Sequence, residues 1–106
     1  MHRYILVQVK HNYFVVLQLT DIYFIEADGH YARCITSTTT YLITRPLKQL
    51  EAELPADLFC RVHRTYIIQF PLIISINDNL IHLENKDIPL SEKYRKDLFE
   101  RMELFK

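Results

Sequence analysis

A single glycine serves the whole chain: Gly29, directly behind Asp28, is the only one in 106 residues. Glycine enters left-handed backbone without a steric cost, so a chain with one of them must build its other turns differently. Nor can it form a phosphate-cradling loop, which needs several glycines at fixed spacing. That excludes nucleotide-binding enzymes of the P-loop and dinucleotide kinds. Asp28-Gly29, set between the apolar runs 22–25 and 31–35, is the strongest short-range hairpin signal a sequence offers.

The remaining turns fall to residues whose side chains hydrogen-bond to their own backbone. His11-Asn12, Thr38-Thr39-Thr40, Asn77-Asp78-Asn79 and Asn85-Lys86-Asp87 fit that role. Between them lie runs rich in Ile, Val, Tyr and Phe, at 4–9, 13–19, 41–43, 66–70, 73–76 and 80–83. Turn signals at such short intervals predict a strand-dominated domain. Two segments read as helix. In 46–54, Leu47, Leu50 and Leu54 recur at helical spacing, with Pro46 near the first turn and Pro55 as the stop. After Ser91 as N-cap, Tyr94, Leu98, Met102 and Phe105 continue one face toward the end of the chain. The expectation is one domain over 1–106. It is mostly β, with antiparallel sheets of short strands, a short middle helix and a C-terminal helix.

Composition supports a packed core: 49% of residues are hydrophobic and 25% charged. No apolar run nears the ~18 residues needed to cross a bilayer. The first ten residues are interrupted by Gln8 and Lys10 and carry no small-residue cleavage site. No signal peptide, no membrane association and a cytoplasmic location are expected. Cys34 and Cys60 then read as reduced core thiols. Cys60-x-x-His63 has ligand-like spacing, but His30 and Cys34 do not supply a second close pair, so no metal is expected. Ser37, Ser75 and Ser91 lack a neighbouring His, and Glu51, Glu53 and Asp57 read as a solvated helix face. No catalytic residue and no cofactor are expected.

Thirteen Lys and Arg balance thirteen Asp and Glu, which alone argues against a nucleic-acid binder. The distribution is uneven. Residues 29–50 carry Arg33, Arg45 and Lys48 without an acid, and 58–77 carry Arg61, His63 and Arg64 without one. Lys93, Arg95 and Lys96 follow near the last helix start, opposed by Glu92 and Asp97. Two readings stay open: charges interspersed over the surface, or a basic face backed by an acidic one.

The stretch Leu58-Phe59-Cys60-Arg61-Val62-His63-Arg64-Thr65-Tyr66-Ile67-Ile68 resembles the core motif of LytTR domains, the DNA-binding output modules of many bacterial response regulators. Thr65 stands where Ser is usual, and Gln69 where Asn is usual. Upstream pieces lie in matching order: Asp21 to Ala27, Gly29-His30-Tyr31, Leu47-x-x-Leu50 and Leu54-Pro55. Downstream come Ile73, Ile76, Leu80, Leu83 and Ile88-Pro89-Leu90-Ser91, so the resemblance spans 3–104.

The resemblance implies antiparallel sheets whose loops, rather than a recognition helix, reach successive major grooves of double-stranded DNA. It implies a sequence-specific transcriptional regulator, expected to be a monomer when free and to bind promoter repeats as two copies. A receiver domain or sensor kinase would act upstream. Three loops would carry the contacts: His30, Tyr31 and Arg33; then Arg61, His63 and Arg64; then Ser91, Lys93 and Lys96. Arg64 suits the guanine edge, and Lys93 and Lys96 suit phosphates. Structural alternatives are a carboxylate partner for Arg61, a buried hydrogen bond for His63, and a hairpin-holding role for His30 and Tyr31. The alternative function is a protein-interaction module of the same fold that no longer binds DNA.

Overall fold

Strand follows strand with few helical interruptions: β1 (Tyr4–Lys10), β2 (Tyr13–Gln18), β3 (Ile22–Asp28), β4 (Tyr31–Thr36), β5 (Thr40–Ile43), α1 (Leu47–Glu53), β6 (Phe59–His63), β7 (Tyr66–Gln69), β8 (Ser75–Asn77), β9 (Leu80–Leu83), β10 (Lys86–Pro89) and α2 (Glu92–Glu100). The computed structural model describes residues 3–106, a body 51 Å long and 27 by 25 Å across. The absence of a signal peptide read from the first residues extends over Met1 and His2, which lie outside the described residues.

Five strands form the central antiparallel sheet in the order β5-β4-β3-β7-β6. β3 holds the middle because both of its faces are apolar, which suits a strand covered on two sides. Successive side chains point to opposite faces of a strand, so Ile25 and its neighbour Ile67 serve one core and Phe24 and its neighbour Ile68 the other. The β1–β2 ribbon (Val7, Leu17) and α1 (Leu47, Leu50) cover the first face. The sheet β10-β9-β8 (Ile81, Leu83, Ile88) and α2 (Leu98) cover the second. The expected mostly-β class is what the structure shows.

Turn chemistry follows the glycine shortage. Gly29 takes φ of +61°, and Asn12, Asp78 and Asn85 adopt left-handed backbone at +57°, +53° and +62° in three other hairpins. Asn and Asp tolerate that region better than other side chains. Both thiols are free and buried, and burial pushes Cys34 up to about 12 and Cys60 to about 11.

Several expected boundaries move. α2 ends at Glu100, and Met102 and Phe105 are exposed rather than continuing its buried face. The helix packs along β6, from Val62 beside Ser91 to Phe59 beside Arg101, and ends level with the start of that strand. There Arg101 turns back to donate to the carbonyls of Ala56 and Phe59 at 3.1 and 3.0 Å. The expected strand 73–76 shrinks to Ser75–Asn77, because Pro71 sits in a 3-10 turn over Phe70–Leu72. Lys86 and Asp87, expected in a turn, begin β10 opposite Leu83 and His82. Positive φ at Asn85 completes that turn.

Gln69 is the polar residue buried in the core, where its Nε2 donates to the carbonyl of Leu19 at 3.2 Å and to that of Ile22. It ties the end of β7 to the 3-10 turn that starts β3. Gln69→Leu keeps the volume but removes a buried donor from the Ile22 carbonyl, at about 1–3 kcal/mol, while the Leu19 carbonyl keeps the Ile22 N–H. A stability lower by about 1–3 kcal/mol, read as a lower urea midpoint with unchanged slope, is the expected result. A midpoint equal to the parent's would show these bonds to be dispensable.

Candidate nucleic-acid interface

Antiparallel order decides which loops meet. β3 ends where β7 begins, so the β3–β4 turn at Gly29-His30 lies beside the β6–β7 turn at Arg64-Thr65. The Ala27 N–H donates to the Thr65 carbonyl at 2.7 Å and fastens the two hairpins together. The Ser91 N–H donates to the Val62 carbonyl at 2.9 Å, which brings the start of α2 to the same end. Three segments far apart in sequence thus share one end of the molecule.

The β6–β7 turn is braced from behind. A register shift between Arg61 and His63 turns the Arg61 side chain inward, leaving it 12% exposed. Its Nε donates to the His63 carbonyl at 3.2 Å, Nη2 to the Arg64 carbonyl at 2.6 Å, and Nη1 to Glu51 of α1 at 3.2 Å. The guanidinium also lies 5.6 Å from the Tyr94 ring centre. His63 Nδ1 accepts the Thr65 N–H at 3.1 Å, so a neutral ring carries its proton on Nε2. Arg64 points outward. Its side chain is exposed and, among the described residues, has no hydrogen bond or ion pair.

A polar row crosses the sheet next to the turns. Register places Arg33, Glu26, Tyr66 and His63 side by side on β4, β3, β7 and β6. Arg33 pairs with Glu26, and that partner raises the guanidinium further above its ordinary range. Burial first, and the Glu26 carboxylate second, push the Tyr66 hydroxyl up. Lys86 reaches over this row, its Nζ 5.4 Å from the Phe24 ring centre and 6.0 Å from that of Tyr66.

At the third segment, Ser91 occupies the N-cap position with extended backbone, but its hydroxyl makes no cap hydrogen bond. The first-turn N–H groups of α2 are left without that acceptor, the usual situation in which a helix start receives an anion. Lys93 is exposed, 5.4 Å from the Tyr94 ring centre. Lys96 lies a turn further along, 3.9 Å from Glu100 in an exposed pair of little energetic weight.

The structure therefore gathers His30, Tyr31, His63, Arg64, Ser91 and Lys93 at one end. Arg33 lies just inside, Lys96 a turn away, and Arg61 behind the turn with its donors engaged. Sequence reading missed Lys86, because a single lysine in a turn-like Asn-Lys-Asp stretch carries no periodicity. Arg45 belongs elsewhere, paired with Glu53 at 3.1 Å. The neutral total resolves in the same way: Arg3, Arg45, Arg61 and Arg101 each face a carboxylate, whereas Arg64 faces none among the described residues.

The sequence model of the LytTr DNA-binding domain matches residues 12–103. The chain belongs to the LytTR DNA-binding domain family. A solved LytTr DNA-binding domain from Bacillus cereus superposes with a TM-score of 0.81 over 95% of this chain and 97% of that one, at 19% identity. The heme-containing CO-sensing transcriptional regulator RcoM 2 of Paraburkholderia xenovorans (strain LB400) is 29% identical over 93 residues, covering 81% of this chain and 35% of that protein. The sensory transduction protein LytT of Bacillus subtilis (strain 168) is 28% identical over 90 residues, covering 79% of this chain and 37% of that protein. The chain thus spans little more than a third of the length of these relatives.

If Arg61 holds the turn, its planar fork matters as well as its charge. Arg61→Lys offers one ammonium to acceptors spread around a guanidinium, at an expected cost of about 1–3 kcal/mol. For a domain of this size that lowers Tm by roughly 4–8 °C per kcal/mol, measurable by circular dichroism. A Tm within a degree of the parent's would show that the turn is held by other contacts.

Proposed function

We propose that this domain, 1–106 as one unit, is a sequence-specific DNA-binding module of a bacterial transcriptional regulator. It serves as the output domain of a two-component response regulator, with a receiver domain or sensor kinase upstream, and works in the cytoplasm. No described helix is long and apolar enough to cross a membrane. The observation that carries the reading is the meeting of three chain segments at one end, around an exposed arginine whose side chain has no partner among the described residues.

Each residue then has a role set by its surroundings. Arg64 is presented on a braced turn, where a guanidinium makes a bidentate contact to guanine O6 and N7 in the major groove. His30 and Tyr31 reach the neighbouring groove edge from the adjacent turn, with His63 beside them. Ser91 and Lys93 hold phosphates at the start of α2, and Lys96 adds a looser one. Arg33, its charge offset by Glu26, offers its remaining N–H donors to the DNA, and Arg61 acts by positioning Arg64. One such domain covers about a helical turn, too little to find a promoter among the roughly 10⁶ or more competing sites of a genome. Two copies on spaced promoter repeats supply the missing discrimination.

The test combines selection and salt. A spaced repeat selected from random duplexes is expected to bind with a log K against log salt slope of about −4, as for four or five neutralised phosphates. Arg64→Ala is expected to cost about 1–3 kcal/mol on the selected site and little on random DNA. Lys93→Ala should weaken both alike and flatten the slope by about one. Equal losses on both DNAs for Arg64→Ala would contradict its base-reading role, and a slope near zero would contradict the phosphate contacts.

A further inference from the structure

The ribbon β1–β2 covers the central sheet with one face and leaves the other bare. Val7 and Leu17 point inward and are buried, with Ile5 and Val15 packed beside them. On the outward face, Tyr4, Leu6, Val16 and Phe14 are 59, 68, 61 and 51% exposed. Leu6 lies directly opposite Val16, Gln8 opposite Phe14, and Tyr4 opposite Gln18, so the four apolar side chains form one continuous stripe. Their bare area is on the order of 400 Å², the size of the largest apolar patch on an ordinary monomer, a patch that is often functional.

We infer that a second copy of this chain docks on this face, ribbon against ribbon about a two-fold axis. A two-fold contact brings each central side chain close to its own counterpart, so a charge there would meet itself. None of the six outward residues, Tyr4, Leu6, Gln8, Phe14, Val16 and Gln18, is charged. The two polar ones among the ladder pairs are glutamines, whose amides carry both donor and acceptor and pair with their own kind. The six side chains offer about 600 Å² per copy, close to the roughly 800 Å² per partner of a standard interface. The pairing is therefore of modest strength.

The ribbon and the sheet β10-β9-β8 with α2 lie on opposite faces of the central sheet, so ribbon pairing leaves the start of α2 uncovered in both copies. The inference stands without the DNA reading, and it replaces the expected free monomer with a weak free dimer.

Sedimentation equilibrium of the 106-residue chain, from about 5 μM to about 1 mM, reads this directly. The weight-average mass is expected to climb from 12.8 kDa toward twice that value. Val16→Lys, which sets like charges across the axis, should weaken association at least tenfold while circular dichroism stays unchanged. Gln8→Lys provides the same test at a second outward position, should Val16→Lys disturb the fold. Hydrogen exchange should slow with concentration in residues 4–18 and nowhere else. A wild-type chain that stays monomeric at 1 mM overturns the inference. So does a dimer that survives both substitutions, or one whose concentration-dependent protection lies outside the ribbon.

Discussion

The Arg61 guanidinium is the fixed point of the functional end. Two backbone carbonyls of the β6–β7 turn and a carboxylate of α1 share its donors, and an aromatic ring of α2 lies alongside. Three elements are thereby referenced to one planar group. Without Arg61 the turn would be held only through Thr65, and the Arg64 carbonyl would lose the donor that fixes its side of the turn. Holding the turn by its carbonyls leaves the Arg64 side chain unencumbered. One arginine is used by the fold, and its neighbour is left for the proposed DNA contact.

The same division explains how a neutral chain offers a basic end. Carboxylates of α1 and α2, Glu51, Glu53 and Asp97, are matched with Arg61, Arg45 and Arg101, cations used for architecture. Glu26, inside the polar row, is matched with Arg33. Cations near the turns, Arg64, Lys86 and Lys93, form no salt bridge among the described residues. Total charge is a poor guide to local potential when so many pairs cancel within a few ångströms.

Much of the architecture was legible because the chain has so few ways to turn. Asp28-Gly29 located the β3–β4 hairpin, and Asn and Asp marked three others that do adopt left-handed backbone. The LytTR-like stretch pointed to the family to which the chain belongs. Periodicity failed where a neighbour decides the outcome. Met102 and Phe105 keep helical spacing, but α2 ends at Glu100, level with the start of β6, and both side chains are exposed. Pro71 removed two residues from a strand that its apolar neighbours suggested. The brace by Arg61 and the tie by Gln69 are long-range contacts with no sequence signature. Lys86 was invisible for the same reason: its place over Tyr66 exists only after two sheets have stacked.

A backbone-amide NMR titration with a duplex carrying the selected repeat addresses the shared end of the molecule most directly. The expected shifts cluster at 29–31, 63–65 and 91–93, with residues 47–53 of α1 unmoved by DNA. Shifts centred on α1 or on the β9–β10 turn, with Arg64 and its neighbours unaffected, would contradict the assignment of this end to DNA.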